Sequence, residues 1–219
     1  MNKKKLAFVI SSLSPGGAER VVSNLANNFV DNYDVSIITI FNDKPFYKLD
    51  HRIQIFNCLD EYENEKSKVK SAFIQLKSVS NIYSLLKKNQ IDLVIGFMTT
   101  ANIYSILASR VAGISCIVSE RIHPEYSNLS NFWSRVRKLI YPYANKIIVQ
   151  TTAIKNYYLT FLKEAQLEIV KNPLSDSLIK KRKLNTIKKP ILLTVGRLSH
   201  QKNHKMLIEA FNEINLENW

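Results

Sequence analysis

Along this chain, short unbroken apolar runs alternate with longer stretches in which apolar residues recur every three or four positions. The runs at 6–10, 35–41, 91–97, 115–119 and 146–150 have the length and continuity of strands buried on both faces. Val21, Val22, Leu25, Ala26 and Phe29 repeat at helical spacing, so residues 18–29 are expected to form a helix with one buried side. The same spacing predicts helices over 66–89, 99–112, 131–141 and 153–163, with shorter strands at 53–58 and 168–170. On the helix over 66–89, Val69, Phe73, Leu76, Ile82, Tyr83 and Leu86 are expected inward. On that over 131–141 the inward set is Phe132, Val136, Leu139 and Ile140, with Arg135, Arg137 and Lys138 on the other sides. Gly113 should stop one helix and Pro142 end or kink another. Strand and helix alternating in this way imply an α/β, Rossmann-like, doubly wound parallel sheet.

Asn172-Pro173 closes that first domain, 1–173, and the polar, lysine-rich residues 174–189 read as an exposed linker. Residues 190–219 then open a second Rossmann-like domain with a strand at 190–195 and a helix at 205–214. A single strand of a parallel sheet has no neighbour to pair with, so this second lobe is expected to be fragmentary.

Two polar turns sit at strand exits, where ligands of open α/β sheets bind. The first is Leu13-Ser14-Pro15-Gly16-Gly17-Ala18-Glu19-Arg20. Gly16 and Gly17 let the backbone turn tightly and approach a ligand, and the following helix aims unpaired N–H groups at it, which suits a phosphate. The second, about 180 residues later, is Val195-Gly196-Arg197-Leu198-Ser199-His200-Gln201-Lys202-Asn203. There Arg197 offers a planar fork and Lys202 a mobile point charge, which together suit a diphosphate.

This pair of motifs resembles the retaining GT-B glycosyltransferases of family 4, and the resemblance runs the length of the chain. It implies sugar transfer from a nucleotide-sugar, such as a UDP-sugar, with Gly16, Gly17, Arg197 and Lys202 holding its diphosphate. It implies a GT-B amino-terminal, acceptor-side domain followed by the start of the nucleotide-sugar-binding domain, as in a truncated chain. Family members also carry a pair of glutamates further along that second domain. Glu209 and Glu217 have the same separation but sit on the helix directly after the Gly-Arg-Leu turn, and read as solvated.

The exit of the strand at 115–119 carries Glu120, Arg121 and His123, the densest polar group of the first domain and the candidate catalytic set. Many family members place a histidine just after this strand, whereas here Glu120 and Arg121 come first. His123 therefore reads either as a sugar contact or as a loop histidine with no catalytic duty. The Ser-Glu-Arg run is similar to that of family members acting on lipid-linked oligosaccharides, so the implied acceptor is a lipid-linked saccharide or surface polysaccharide. Thr99 and Thr100 stand at another exit, either as helix caps or facing the cleft.

Composition changes this picture little. A net charge of +13, from 31 Lys+Arg against 18 Asp+Glu, favours anionic partners, although lysine-rich background composition accounts for it equally well. The basic helix over 66–89 either packs on the sheet with its lysines in water or lies peripherally on anionic membrane. Cys58 and Cys116 lack zinc or disulfide spacing and suit buried thiols in a reducing compartment. No apolar run approaches the roughly 18–20 residues of a membrane span, which suggests a cytoplasmic protein, at most peripheral on the inner face of the plasma membrane. There is no Asp-x-Asp pair to clamp a metal, so no metal cofactor is expected and the donor is a substrate. No G-x-G-x-x-G follows the first strand and no nucleic-acid module is recognisable, which argues against a dinucleotide oxidoreductase and a nucleic-acid binder. The remaining alternative is a non-catalytic α/β module that binds an anionic partner.

Overall fold

The computed structural model describes residues 3–59, 68–127, 129–174, 191–196, 198 and 202–214. Among the expectations above, those on Arg197, the acidic stretch 60–65, the linker residues 175–189 and Glu217 lie outside the described residues. The chain forms two compact units, Met1–Ser175 and Asp176–Trp219.

In the first unit, seven strands make one sheet. They are β1 (Lys5–Ile10), β2 (Asp34–Phe41), β3 (Gln54–Leu59), β4 (Leu93–Phe97), β5 (Ser115–Ser119), β6 (Lys146–Val149) and β7 (Leu167–Ile169). Their order is β3-β2-β1-β4-β5-β6-β7 and every pairing is parallel. The unbroken apolar runs are explained by this arrangement. Leu6 to Ile10 are all buried, with Phe8 and Ile10 facing one side and Ala7 and Val9 the other. Each fully buried aliphatic or aromatic side chain contributes about 1.5–3 kcal/mol by leaving water.

Helix α1 (Gly17–Phe29) covers one face, setting Val21, Val22 and Ala26 on Phe8, Ile10 and Ile37. The other face carries α2 (Lys68–Lys88), α3 (Thr99–Ala112), α4 (Asn131–Ile140) and α5 (Thr152–Leu159), which enclose Ile38, Ile82, Leu86, Ile103, Tyr141 and Tyr158. A doubly wound, Rossmann-like domain is thus what the pattern predicted. Gly113 stops α3 in the left-handed conformation, φ 73°, and Ile114 N–H donates to Ser109 O at 2.9 Å.

Three expectations need correction. On α2 the seated stripe is Ile74, Ser78, Ile82 and Leu86, while Phe73 and Leu76 point outward, 67% and 71% exposed. Ser78 takes a core position because its hydroxyl donates to Ile74 O at 2.8 Å, which shifts the buried face away from the apolar count. Helix α5 ends at Leu159 rather than 163, since the Thr160 hydroxyl donates back to Tyr157 O at 2.7 Å and the chain turns there. In the second unit, α6 (His204–Glu213) forms as expected, but residues 191–196 pair with no strand among the described residues. Ile191, Leu193 and Val195 stay exposed, because a ladder needs a neighbour.

Strand order fixes where a ligand can sit. From β1 the chain moves outward through β2 to β3, then returns to place β4 on the other side of β1. The connections leaving the carboxyl ends of β1 and β4 therefore diverge, and open a crevice at that switch point.

Candidate active site

The β1 exit brings Leu13, fully buried, and then Gly16 as the residue preceding α1. Gly16 is extended, φ −169°, so the tight turn expected of it is not the reason for glycine. Its near neighbour is the Glu19 side chain. Its carboxylate folds back so closely that a Cβ on Gly16 would meet Oε2 at 1.9 Å. Gly16 O accepts from the Tyr47 hydroxyl at 3.0 Å and from Arg20 N–H at 3.2 Å, which pins the loop. Gly17 faces open space, with nothing within 4 Å of where its Cβ would stand, and no side chain caps the helix start.

At the β4 exit Met98 takes φ 74° and ψ 149°, a combination close to one that is essentially glycine's own. It is held there at both ends, its N–H donating to Ser119 O at 3.1 Å and its carbonyl accepting from Asn102 N–H at 2.8 Å. Thr99 is half-buried and does not cap α3. Its hydroxyl donates to Glu120 at 3.1 Å.

Glu120 and Arg121 leave β5 on opposite sides of the sheet. Glu120 turns inward and is 2% exposed. Its carboxylate accepts from Thr99, from Asn102 Nδ2 at 3.3 Å and from the Tyr141 hydroxyl, while its carbonyl accepts from Gln150. Burial pushes this carboxyl above its ordinary range, opposed by the Tyr141 bond and the charge of Arg137. Arg137 is itself buried, set against the rings of Tyr157 and Tyr158 at 5.6 and 5.7 Å, and donates to the Tyr157 hydroxyl at 3.1 Å. The expectation that Arg137 points away from the core is therefore corrected. Trp133, Val136, Arg137 and Ile140 form the inner face of α4, and Phe132 and Leu139 lie outside.

Arg121 lies over the Phe97 ring, guanidinium 4.7 Å from its centre, and Nη1 donates to Asn172 Oδ1. Phe97 belongs to the cluster that includes Leu13 and Val21, so Arg121 stands on the α1 side of the sheet. Burial pushes its pKa down to about 10. His123 is half-buried and caps a short turn, Nδ1 accepting from Glu125 N–H at 3.4 Å with Tyr126 packed beside its ring. Lys202, in the second unit, folds its stem against Gly196.

The structure thus gathers Gly16, Gly17, Glu120 and Arg121 along one carboxyl edge of the first unit. Asn102, Arg137 and Tyr141 are its unforeseen members, since polar residues at inward positions look in sequence like solvent-facing ones. A cavity of about 540 Å³ lined by Lys3, Lys5, Arg52 and Lys88 opens at the opposite edge and borders none of them.

The model of Glycosyltransferase Family 4 matches residues 15–177, a span that starts at the β1 exit loop and contains the whole edge. The chain belongs to Glycosyltransferase Family 4. Two curated family relatives come from Campylobacter jejuni. One, "GalNAc-alpha-(1->4)-GalNAc-alpha-(1->3)-diNAcBac-PP-undecaprenol alpha-1,4-N-acetyl-D-galactosaminyltransferase", is 30% identical over 94% of this chain and 56% of its own length. The other, an N-acetylgalactosamine-N,N'-diacetylbacillosaminyl-diphospho-undecaprenol 4-alpha-N-acetylgalactosaminyltransferase, is 31% identical over 95% of this chain and 59% of its own. The chain thus spans a little over half the length of these relatives. Among solved structures, the lipopolysaccharide outer core galactosyltransferase WaaB in its apo form shares the fold, with a TM-score of 0.60 and 20% identity over 78% of this chain and 46% of that one. Anabaena HepE, solved with UDP-glucose, gives a TM-score of 0.56 at 16% identity over 80% and 45%. The family 4 fold accounts for the site's place at the sheet edge, and no described helix is long and apolar enough to cross a membrane.

Proposed function

We propose that this chain serves the transfer of a sugar from a nucleotide-sugar to a lipid-linked saccharide or surface polysaccharide. The observation that carries the reading is the family match over the residues that build the switch-point edge. The names of the Campylobacter relatives point to a diphospho-undecaprenol-linked acceptor, and HepE shows a protein of this fold holding UDP-glucose. Departure of a nucleoside diphosphate builds negative charge, so cationic and N–H donors fixed near it stabilise the transition state more than the ground state. In this reading Gly16 and Gly17 supply such N–H donors in the first unit, Arg197 and Lys202 are cationic donors proposed from sequence alone, and Glu120 holds the turn that carries Arg121. His123 is assigned to shaping its loop. The reaction runs without a metal, on the cytoplasmic face of a membrane.

Radiolabelled UDP-sugars and an undecaprenyl-diphosphate disaccharide test the idea, offered to the 219 residues alone and joined to the carboxyl-terminal half of the Campylobacter relative. Labelled lipid product is expected from the joined form and little from the 219 residues alone. If neither transfers sugar from any donor, the reading fails. A second reading, a non-catalytic module on an anionic surface, draws on the net charge of +13. It requires flotation with vesicles of anionic but not neutral lipid.

A further inference from the structure

Arg121 has a feature that the fold does not explain. Its guanidinium is half-buried, yet among the described residues no carboxylate lies within ion-pair distance of it. One neutral acceptor, Asn172 Oδ1, takes a bond from Nη1, and the buried Nε–H has no partner among the described residues. Arg137 Nε is likewise unpartnered among the described residues, but Arg137 has Glu120 close enough to stabilise its charge, and Arg52 reaches both Asp31 and Asp50. Removing a cation from water without a counter-charge is costly, and stacking on Phe97 returns only part of that cost. Such a group is held ready for something rather than selected for stability.

Its position says for what. The Phe97 ring fixes the plane of the fork, at the carboxyl edge and on the same side of the sheet as the uncapped start of α1 beyond Gly17. A planar fork with unused N–H groups matches a tetrahedral oxyanion bidentately. We propose that Arg121 is the receptor for a diphosphate oxyanion in this crevice, with Asn172 keeping the guanidinium in place until the anion arrives. Two sources carry that chemistry, the nucleoside diphosphate of the donor and the lipid diphosphate of the acceptor. The inference rests on the function proposed above only for the identity of those two sources.

Isothermal titration of the 219-residue chain with inorganic pyrophosphate, UDP and geranyl diphosphate tests it. Arg121→Met keeps the stem on Phe97 and removes the charge. It should weaken pyrophosphate binding at least ten-fold while leaving the melting temperature equal or higher, whereas a merely structural arginine would lower it. Arg121→Lys should restore part of the affinity, since charge returns without the fork. Loss of UDP binding in Arg121→Met assigns the site to the donor, and loss of geranyl diphosphate binding assigns it to the acceptor. Affinities within two-fold of wild type in Arg121→Met, or no binding of any of the three by wild type, would overturn the proposal. Binding through Arg121 when neither the chain nor its joined form transfers sugar would sink the transferase reading and leave this one standing.

Discussion

Replacing Tyr141 by phenylalanine removes one oxygen from the centre of the polar cluster and leaves the packing intact, since the ring still stacks on Tyr158, centres 5.9 Å apart. That hydroxyl is fully buried, donates to Glu120 and accepts from Asn102 Nδ2 at 3.1 Å. Asn102 is not orphaned by the change, because Nδ2 still reaches Ser119 O at 3.2 Å and Glu120 at 3.3 Å. Glu120 loses one of three side-chain donors, and a buried bond to an ionised group is worth about 1.5–3 kcal/mol. For a unit of this size that corresponds to a fall of roughly 3–12 °C in melting temperature.

The loss should also depend on pH. Burial raises the Glu120 carboxyl above its unfolded value of 4.5, so the folded state holds the proton more tightly. The stability tied to this group is fully present below 4.5 and is lost as pH rises through the folded value. The Tyr141 bond opposes the shift, so Tyr141→Phe pushes the folded value higher still. The variant is therefore penalised more at the higher of two pH values, about 8 and about 5, because the Tyr141 bond favours the ionised carboxyl over the protonated one. Urea unfolding followed by far-UV circular dichroism at the two pH values measures both numbers. A difference from wild type under about 0.5 kcal/mol at both, or a larger one at the lower pH, would refute this account of the cluster.

Gly96→Ala should destabilise by about 1–3 kcal/mol in thermal or urea unfolding, because its Cβ would meet Asn102 Oδ1 at 2.8 Å and Ser105 Oγ at 3.0 Å where α3 crosses β4. Met98→Gly should raise stability by about 1 kcal/mol, the relief of a conformation costing about 1–3 kcal/mol less the chain entropy glycine adds. A drop in melting temperature would mean that the Met98 side chain contributes more than its backbone costs. Burial pushes both the Cys58 and Cys116 thiols up to about 12, so neither should react with Ellman's reagent at pH ~8 until urea opens the fold. Rapid labelling of the native protein would contradict their burial.

The sheet was legible because parallel strands covered on both faces must be apolar without interruption, and residues 6–10 and 35–41 say so directly. Helix existence was legible too, but helix phase was not. The wide apolar sides of α2 and α4 fit more than one inward face, and the tie is broken by Ser78 and Arg137, polar residues satisfied inside. The site shows the same division. The Glu120-Arg121 pair stands out in sequence as one polar group, yet only the strand geometry sends one inward to Tyr141 and the other to Phe97. Gly16 was singled out for a tight turn, whereas its backbone is extended, and its contact with a side chain three residues on leaves no trace in a local turn pattern. The donors expected from Arg197 remain a matter of sequence, and Lys202 is seen only beside Gly196 within its own unit.

Glu19 leaning over Gly16 has a consequence for any anion drawn to the first turn of α1. The protein's own carboxylate already occupies part of that space, tethered and at high local concentration, so a visitor binds by exchange rather than by filling a void. A lone monoanion gains little from such an exchange. A multiply charged group, able to displace that flexible side chain and still satisfy other donors, gains more.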